Sequence, residues 1–370
     1  MRVLALRTSA LGDVVLVTPA LRALAAQAGA PVEILTSPAY APLFRGLPFV
    51  SRVWVLPREG GVQELLRAMD EGGPFDLAVD FQNKARTLAI LLRLRARRRL
   101  RLVKRKGIRG ALGSLFGGGP ILDEKPAAAL YFDALEPLGL RPGDLRPQVA
   151  LLPEALELAA RLVDPAGGAP LVGLAPGARW SLKRWPPERF AEVGAALQRE
   201  GVEVVLVGGP EDRAELDRLR SGLARPPLGE TASLDVAGLA AVLSRLSLLV
   251  TVDSGPAHLA QAVGTPVIAV FGPTSQRRWG PAPGLGGVVA LPLSCSPCTN
   301  YGKGGCAQGD RACLEALPAE VVLEAARAAL RAGREGGGVA AERACREALL
   351  GLAQRAATMR RPYGRMEPGA

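Results

Sequence analysis

The sequence predicts an α/β protein built from two parallel-sheet domains. Three observations point there. Short apolar runs alternate with amphipathic stretches, once in the first 103 residues and again after residue 170. A Pro- and Gly-rich stretch over residues 141–170 separates the two series. The chain has 370 residues, 48% of them apolar, which is enough for two cores.

The first series predicts strands at Val3–Leu6, Val32–Leu35, Val53–Leu56, Leu77–Phe81 and Leu100–Val103. Helices are expected at Asp13–Ala26, Val62–Met69 and Lys84–Leu94. The second series predicts strands at Leu171–Ala175, Val202–Val207, Leu248–Val252 and Val267–Phe271. Its expected helices are Pro187–Glu200, Glu211–Leu223, Asp235–Leu243 and Pro256–Val263. Short strands split by helices imply parallel sheets covered on both faces. The expected domains are 1–150 and 166–332. Residues 333–370 follow as a linker at Gly336–Gly338, a helix at about Ala340–Ala357 and a polar tail. Aromatic residues are only 4%, so the cores must be Leu, Val and Ala. In such folds ligands bind outside the carboxyl ends of the strands, so two such domains predict a cleft between two sheet edges.

The net charge is +11, and +9 of it lies in residues 1–150, with 22 Lys and Arg against 13 Asp and Glu. Eleven basic residues and no acidic one fall between Arg86 and Arg109. Such a face attracts phosphate: nucleic acid, anionic lipid or a phosphorylated glycan. A solvated, Arg-rich helix end and strand is the plainer reading. The opening MRVLALRTSALGD is apolar for too few residues to read as a secretory signal. No run long enough to span a bilayer is expected. A cytoplasmic protein, free or peripheral on the inner face of the membrane, is the expectation.

Four segments carry chemistry. The loop Arg7-Thr8-Ser9-Ala10-Leu11-Gly12-Asp13 follows a strand and opens a helix, so its amides can face a ligand. Asp13 there is either an N-cap or a carboxylate base. The run Ala175-Pro176-Gly177-Ala178-Arg179-Trp180-Ser181-Leu182-Lys183-Arg184-Trp185-Pro186 mixes basic and aromatic residues in a loop at a sheet edge. Lys183 and Arg184 are either a solvated pair or ligand contacts. In Val207-Gly208-Gly209-Pro210-Glu211-Asp212 the acids suit capping, and a Glu there can also take sugar hydroxyls. In Val252-Asp253-Ser254-Gly255-Pro256-Ala257-His258 a strand ends in Asp and a helix starts at Pro, which makes an anion site. His258 is the only histidine of the chain, either a structural residue or a donor to a diphosphate. A GxxxxGK[ST] loop and a GxGxxG loop are both missing, which excludes a P-loop NTPase and argues against a dehydrogenase.

Cys295, Cys298, Cys306 and Cys313 form a C-x₂-C-x₇-C-x₆-C pattern in one Gly-rich segment. That spacing suits a tetrahedral, structural zinc. Two disulfides or four reduced thiols are the alternatives. Cys345 lies apart and is expected to be buried or free.

Taken together, RTSALGDVVLVTPALRAL, FDLAVDFQNKARTLAILLR, LAPGARWSLKRWPPERFAEV, VVLVGGPED and TVDSGPAHLAQAVGTPVIAVFGPT resemble the ADP-heptose:lipopolysaccharide heptosyltransferase family, glycosyltransferase family 9. The resemblance runs from about residue 1 to about residue 330. It implies a GT-B architecture: two facing Rossmann-like domains, acceptor on the first and donor on the second. It also implies inversion at the anomeric carbon with no metal or other cofactor needed for catalysis. Asp13 would take the acceptor's proton and Lys183 would bind the donor's phosphate or sugar. Ser9, Gly12, Glu211, Asp253, Ser254, Gly255 and His258 would hold the donor. Ala178 and Arg179 stand where the family often has small hydroxyl residues on the donor phosphate, a departure that bears on the donor. Lys84 and Arg86 are the candidates for holding the acceptor.

The implied partners are a nucleotide sugar, ADP-heptose or similar, and an anionic lipid-linked or phosphorylated glycan at the inner membrane face. The chemistry is consistent: negative charge growing on a departing diphosphate needs Lys183 and the helix start at Ser254 if no metal is present. Three other readings remain, one of them a catalytically dead sugar-nucleotide binder, against which the presence of Asp13 and Lys183 argues. A nucleic-acid binder could use Arg86–Arg109, although that stretch lacks aromatic residues to stack bases, so no nucleic-acid partner is expected. A sugar-nucleotide epimerase shares the two-domain layout, but the Asp13 loop argues against it.

Overall fold

The computed structural model describes residues 1–103 and 125–358, and the chain divides into two compact units. Of the described residues, 1–103 and 125–152 form the first, and 153–358 the second. Lys104, Arg105, Lys106 and Arg109 of the basic stretch, and the tail 359–370, lie outside the described residues.

The first unit is a five-stranded sheet: β1 (Val3–Leu6), β2 (Val32–Thr36), β3 (Val50–Val55), β4 (Phe75–Asp80) and β5 (Ala96–Arg101). The order is β3-β2-β1-β4-β5 and every pairing is parallel. The strand order reverses between β1 and β4, which puts the loops after these two strands side by side. Leu4, Leu6, Leu35, Phe75, Ala78, Ile90 and Leu91 build the core on one face.

The second unit is a six-stranded sheet: β6 (Leu171–Ala175), β7 (Glu203–Leu206), β8 (Gly229–Glu230), β9 (Leu248–Val252), β10 (Val267–Val270) and β11 (Gly286–Val289). Its order, β11-β10-β9-β6-β7-β8, is again all parallel, with the switch between β6 and β9. Small aliphatic side chains dominate this core, joined by Trp185 and Phe190 stacked edge to face at 4.9 Å.

The differences from the sequence reading have physical causes. The expected helix Asp13–Ala26 is two helices, Leu11–Leu16 and Thr18–Ala28, because Pro19 in the first turn of the second lacks the N–H to continue the first. Together, Leu11–Ala28 is long and apolar enough to cross a membrane by length and composition alone. Val14, Val15, Leu21 and Leu24 are nevertheless fully buried in the first unit. The strand expected at Leu100–Val103 is β5, which starts earlier and carries arginines. It is an edge strand, and charge there blocks pairing with another chain. The expected helix Glu211–Leu223 is a 3-10 turn, Pro210–Asp212, followed by the helix Arg213–Ser221. Strands β8 and β11 escaped the sequence reading because they are short and glycine-bearing.

The largest correction concerns the Gly336–Gly338 linker. Those glycines are helical, inside a helical run Ala319–Thr358 whose break falls at Gly333 (φ 70°). They are there for close packing, since a methyl on Gly338 would overlap the carbonyl of Gly284. Gly287 of β11 likewise meets the carbonyl of Ala341 and the sulfur of Cys345. The C-terminal helix is thus part of the second core, where Ala341 and Cys345 are buried. Burial pushes the Cys345 thiol up to about 12. Gly338→Ala is expected to cost about 1–3 kcal/mol. Gly336→Ala, whose new methyl meets only the Cβ of Ala332 at 3.6 Å, should gain about 0.5–1 kcal/mol from helix propensity. Urea unfolding of the two variants checks this; equal midpoints would contradict the packing account.

Candidate active site

Both sheets gather their polar side chains at the carboxyl ends of the strands flanking the switch point. In the first unit the loop after β1 meets the loop after β4. The Gln82 side chain accepts from the amides of Thr8 and Ser9 at 3.0 and 3.1 Å, and donates to Ser9 Oγ at 3.0 Å. Asp80, fully buried at the end of β4, accepts from the amides of Gln82 and Asn83 and from Thr87 Oγ1. This mutual bonding sets the loop that carries Asp13.

Asp13 is not an N-cap. Gly12 and Asp13 lie in the first turn of the helix Leu11–Leu16, whose N-cap is Ala10 with no side-chain cap bond. The Asp13 carboxylate instead pairs with Arg7 Nη2 at 2.7 Å and accepts from Tyr131 Oη at 2.6 Å. Its side chain is 35% exposed, whereas Arg7 and Tyr131 are buried. A carboxylate held from behind and open in front is able to receive a proton.

In the second unit, Lys183 Nζ lies 3.2 Å from Asp253 Oδ2, bringing the loop after β6 to the end of β9. Thr274 Oγ1 donates to the same oxygen at 2.7 Å. Lys183 sits in a 3-10 turn, Ser181–Lys183, and its stem lies against the backbone of Gly302, where a Cβ would collide with it. Ser254 is the N-cap of the helix Gly255–Ala262, but its hydroxyl bonds Thr251 Oγ1 at 3.1 Å and caps no amide. The first amides of that helix are thereby left to an anion. His258 is buried in the same helix, with its ring 6.2 Å from that of Trp279, which in turn meets Tyr301 at 6.0 Å. Lys183, Asp253, Ser254, Gly255 and His258 are therefore the donor candidates grouped at this sheet edge.

Other candidates stand differently. Ala178 is buried, and its carbonyl accepts from Arg184 Nε at 2.9 Å. Arg179 is exposed and lies over Trp180. Glu211 is exposed too, and the neighbouring Asp212 is the acid drawn inward, lying on the backbone of Gly177 and accepting from the Gly209 amide at 3.0 Å. Lys84 and Arg86 are exposed, and Arg86 donates to the Pro57 carbonyl. Arg99 is used structurally, on the carbonyls of Leu91 and Ala96, while Arg93, Arg95, Arg97 and Arg98 remain on the surface.

Sequence reasoning missed Arg7, Tyr131, Thr274 and Asp212. Tyr131 could not be found by spacing, because 118 residues separate it from Asp13. Asp212 was within the quoted VGGPED, but nothing in that motif says which acid turns inward.

Burial raises the Asp212 carboxyl above its ordinary value, opposed by the Gly209 amide and Arg184 and reinforced by Glu211 and Glu215. A raised folded value means that Asp212's contribution to stability is present below the unfolded value of ~3.9 and is lost as pH rises through the folded one. Asp212→Asn should therefore be more stable than wild type at neutral pH and lose that advantage toward about pH 4. Melting curves of both proteins across that range check the sign; parallel curves would contradict it.

The cysteine segment borders the Lys183 loop, with Arg311 Nη1 donating to the Ser181 carbonyl at 2.9 Å. Ser181, Leu182, Cys306, Asp310 and Arg311 help to line a cavity of about 410 Å³ there. Burial, then the charges of Cys298, Cys295 and Cys306, pushes the Cys313 thiol up to about 11. Backbone N–H groups, chiefly that of Arg311, hold the Cys306 thiol below its ordinary value. Among the described residues, no three His, Cys, Asp or Glu side chains converge closely enough to form a ready-made metal shell.

A model of glycosyltransferase family 9 (heptosyltransferase) matches residues 64–304. The chain belongs to this family. Among its relatives, lipopolysaccharide heptosyltransferase 1 of Pseudomonas aeruginosa is 29% identical over 320 residues, covering 80% of this chain and 86% of that one. Lipopolysaccharide heptosyltransferase 3 of Escherichia coli is 35% identical over 151 residues, but only 44% of that protein's length is matched. In solved structures, a family 9 glycosyltransferase from Veillonella parvula superposes with a TM-score of 0.74 at 25% identity, over 88% of this chain and 96% of that one. The E. coli ADP-heptose lipopolysaccharide heptosyltransferase II gives 0.70 at 22% identity over 88% and 97%, a likeness of fold. The two parallel-sheet units are thus those of the GT-B class, as the sequence predicted.

Proposed function

We propose that this family 9 chain is an inverting, metal-independent glycosyltransferase that moves heptose from ADP-heptose to a lipopolysaccharide-type acceptor. The observation that carries the donor half is the Lys183–Asp253 pair beside the uncapped start of the helix Gly255–Ala262. The Lys183 ammonium has three protons, and Asp253 takes one, leaving others for phosphate oxygens. Asp253 and Thr274 fix the ammonium so that it need not be ordered when the donor binds.

The acceptor hydroxyl attacks the anomeric carbon from the side opposite the diphosphate. The new C–O bond forms as the bond to the diphosphate breaks, so the configuration inverts. The proton passes to Asp13, and the charge left on ADP is met by Lys183 and the helix amides. A carboxylate is a weak base for an alcohol, but it needs to accept only late, as the hydroxyl acidifies during attack. The exposed arginines of β5 and its preceding helix suit an anionic lipid-linked acceptor, and hence a cytoplasmic enzyme working at the inner membrane face. Binding to anionic vesicles should weaken as salt is raised.

The relatives named for ADP-heptose and lipopolysaccharide support this donor and acceptor. The test is transfer of label from ADP-heptose to a heptose-free lipopolysaccharide core in the presence of a chelator. Labelled lipid with the opposite anomeric configuration is expected; donor left intact would count against the proposal.

We also propose that the four cysteines close around one structural zinc that takes no part in the transfer chemistry. Their spacing in the sequence supports it. Elemental analysis should find about one zinc per chain, lost in Cys298→Ser. A metal-free native protein would remove the proposal.

A further inference from the structure

We infer that Tyr131 and Arg7 are positioning residues that aim the Asp13 carboxylate, an inference that rests on the reading of Asp13 as the base. Both carboxylate oxygens are engaged from the protein side. Oδ1 accepts from Tyr131 Oη at 2.6 Å and Oδ2 pairs with Arg7 Nη2 at 2.7 Å. Charge-assisted bonds of this length are among the stronger ones a side chain makes. One donor on each oxygen fixes both torsions of a short side chain, and its exposed third is what remains for a substrate.

The two donors are themselves held. Arg7 follows β1, and its amide donates to Leu35 of β2 at 3.0 Å. Its Nη1 donates to the Phe81 carbonyl at 2.6 Å, just past β4. Its guanidinium also stands 5.3 Å from the Tyr131 ring, a cation–π distance. The Tyr131 ring meets Phe81 edge on at 5.9 Å. Tyr131 comes from a 3-10 turn, Tyr131–Ala134, far along the chain, so the carboxylate is gripped by two separate pieces of the first unit. A general base gains from such a grip because proton transfer depends on distance and alignment. Arg7, almost fully buried, needs the Asp13 charge in return.

Tyr131→Phe is the informative variant. It keeps the ring between Arg7 and Phe81 and removes only the donor. With ADP-heptose and the heptose-free core as substrates, kcat should fall about 10- to 100-fold, the size expected for losing a hydrogen bond to a charged group. KM for ADP-heptose should move little, because Lys183, Asp253, Ser254, Gly255 and His258 sit on the other sheet.

The decisive comparison is Tyr131→Phe in an Asp13→Asn background. There the same substitution should change residual turnover by less than about twofold, since groups acting as a unit are not additive. A fall of equal size in both backgrounds would show Tyr131 acting independently of Asp13 and overturn the inference. So would Tyr131→Phe turning over like wild type. If Asp13→Asn alone were fully active, the base assignment itself would be lost, an outcome distinct from the other two.

Discussion

Asp13→Asn is expected to lower turnover about 10²- to 10⁴-fold, the usual worth of a positioned general base. The substitution is nearly isosteric, and the amide oxygen can still accept from Arg7 or Tyr131. It removes the ability to take a proton while keeping most of the local packing. Because Asp13 belongs to the first unit and the Lys183–Asp253 group to the second, donor affinity should stay within about twofold. The split between kcat and donor affinity is the readout. A variant that lost both together would point to misfolding or to a donor-binding role instead. A melting curve beside the kinetics separates those two, since a folded variant still melts cooperatively and a misfolded one does not.

Lys183→Ala should act on both binding and turnover. The diphosphate is charged in the bound donor and gains charge as it leaves, so the ammonium contributes to each state and more to the second. Removing one such group typically costs about 10²–10³ in kcat. There is also a stability effect, because Asp253 is buried and would lose its counter-charge while keeping Thr274. Uncompensated buried charges can cost about 3–5 kcal/mol. The double variant Lys183→Ala/Asp253→Asn should recover part of the stability and none of the turnover. Recovery of turnover in the double variant would mean that Lys183 serves only to neutralise Asp253.

Much of this was legible in the sequence for identifiable reasons. Buried parallel strands write themselves as short apolar runs, so most of β1, β2, β6, β9 and β10 could be read directly. The helix start at Ser254-Gly255-Pro256 and the Lys183 loop could be placed at strand ends, where ligands bind in this architecture. Illegible features fall into three kinds. Where a strand lies at an edge or carries glycine, as in β5, β8 and β11, the apolar signal is absent or diluted. Where a glycine serves packing rather than a turn, as Gly338 does, its presence reads falsely as a linker. The partners of Asp13 belong to a third case. Tyr131 is brought to it by tertiary packing alone, and no local pattern records that.

The switch point of the second sheet is expected to hold a nucleotide-diphosphate sugar through Lys183 and the amides beside Ser254. Calorimetric titration of ADP-heptose into the purified protein, in a chelator and without acceptor, measures this binding. One donor per chain should bind, and Lys183→Ala should weaken that binding at least about tenfold, one charge-assisted contact's worth. Equal affinity in the variant, or no heat with the wild-type protein, would contradict the assignment.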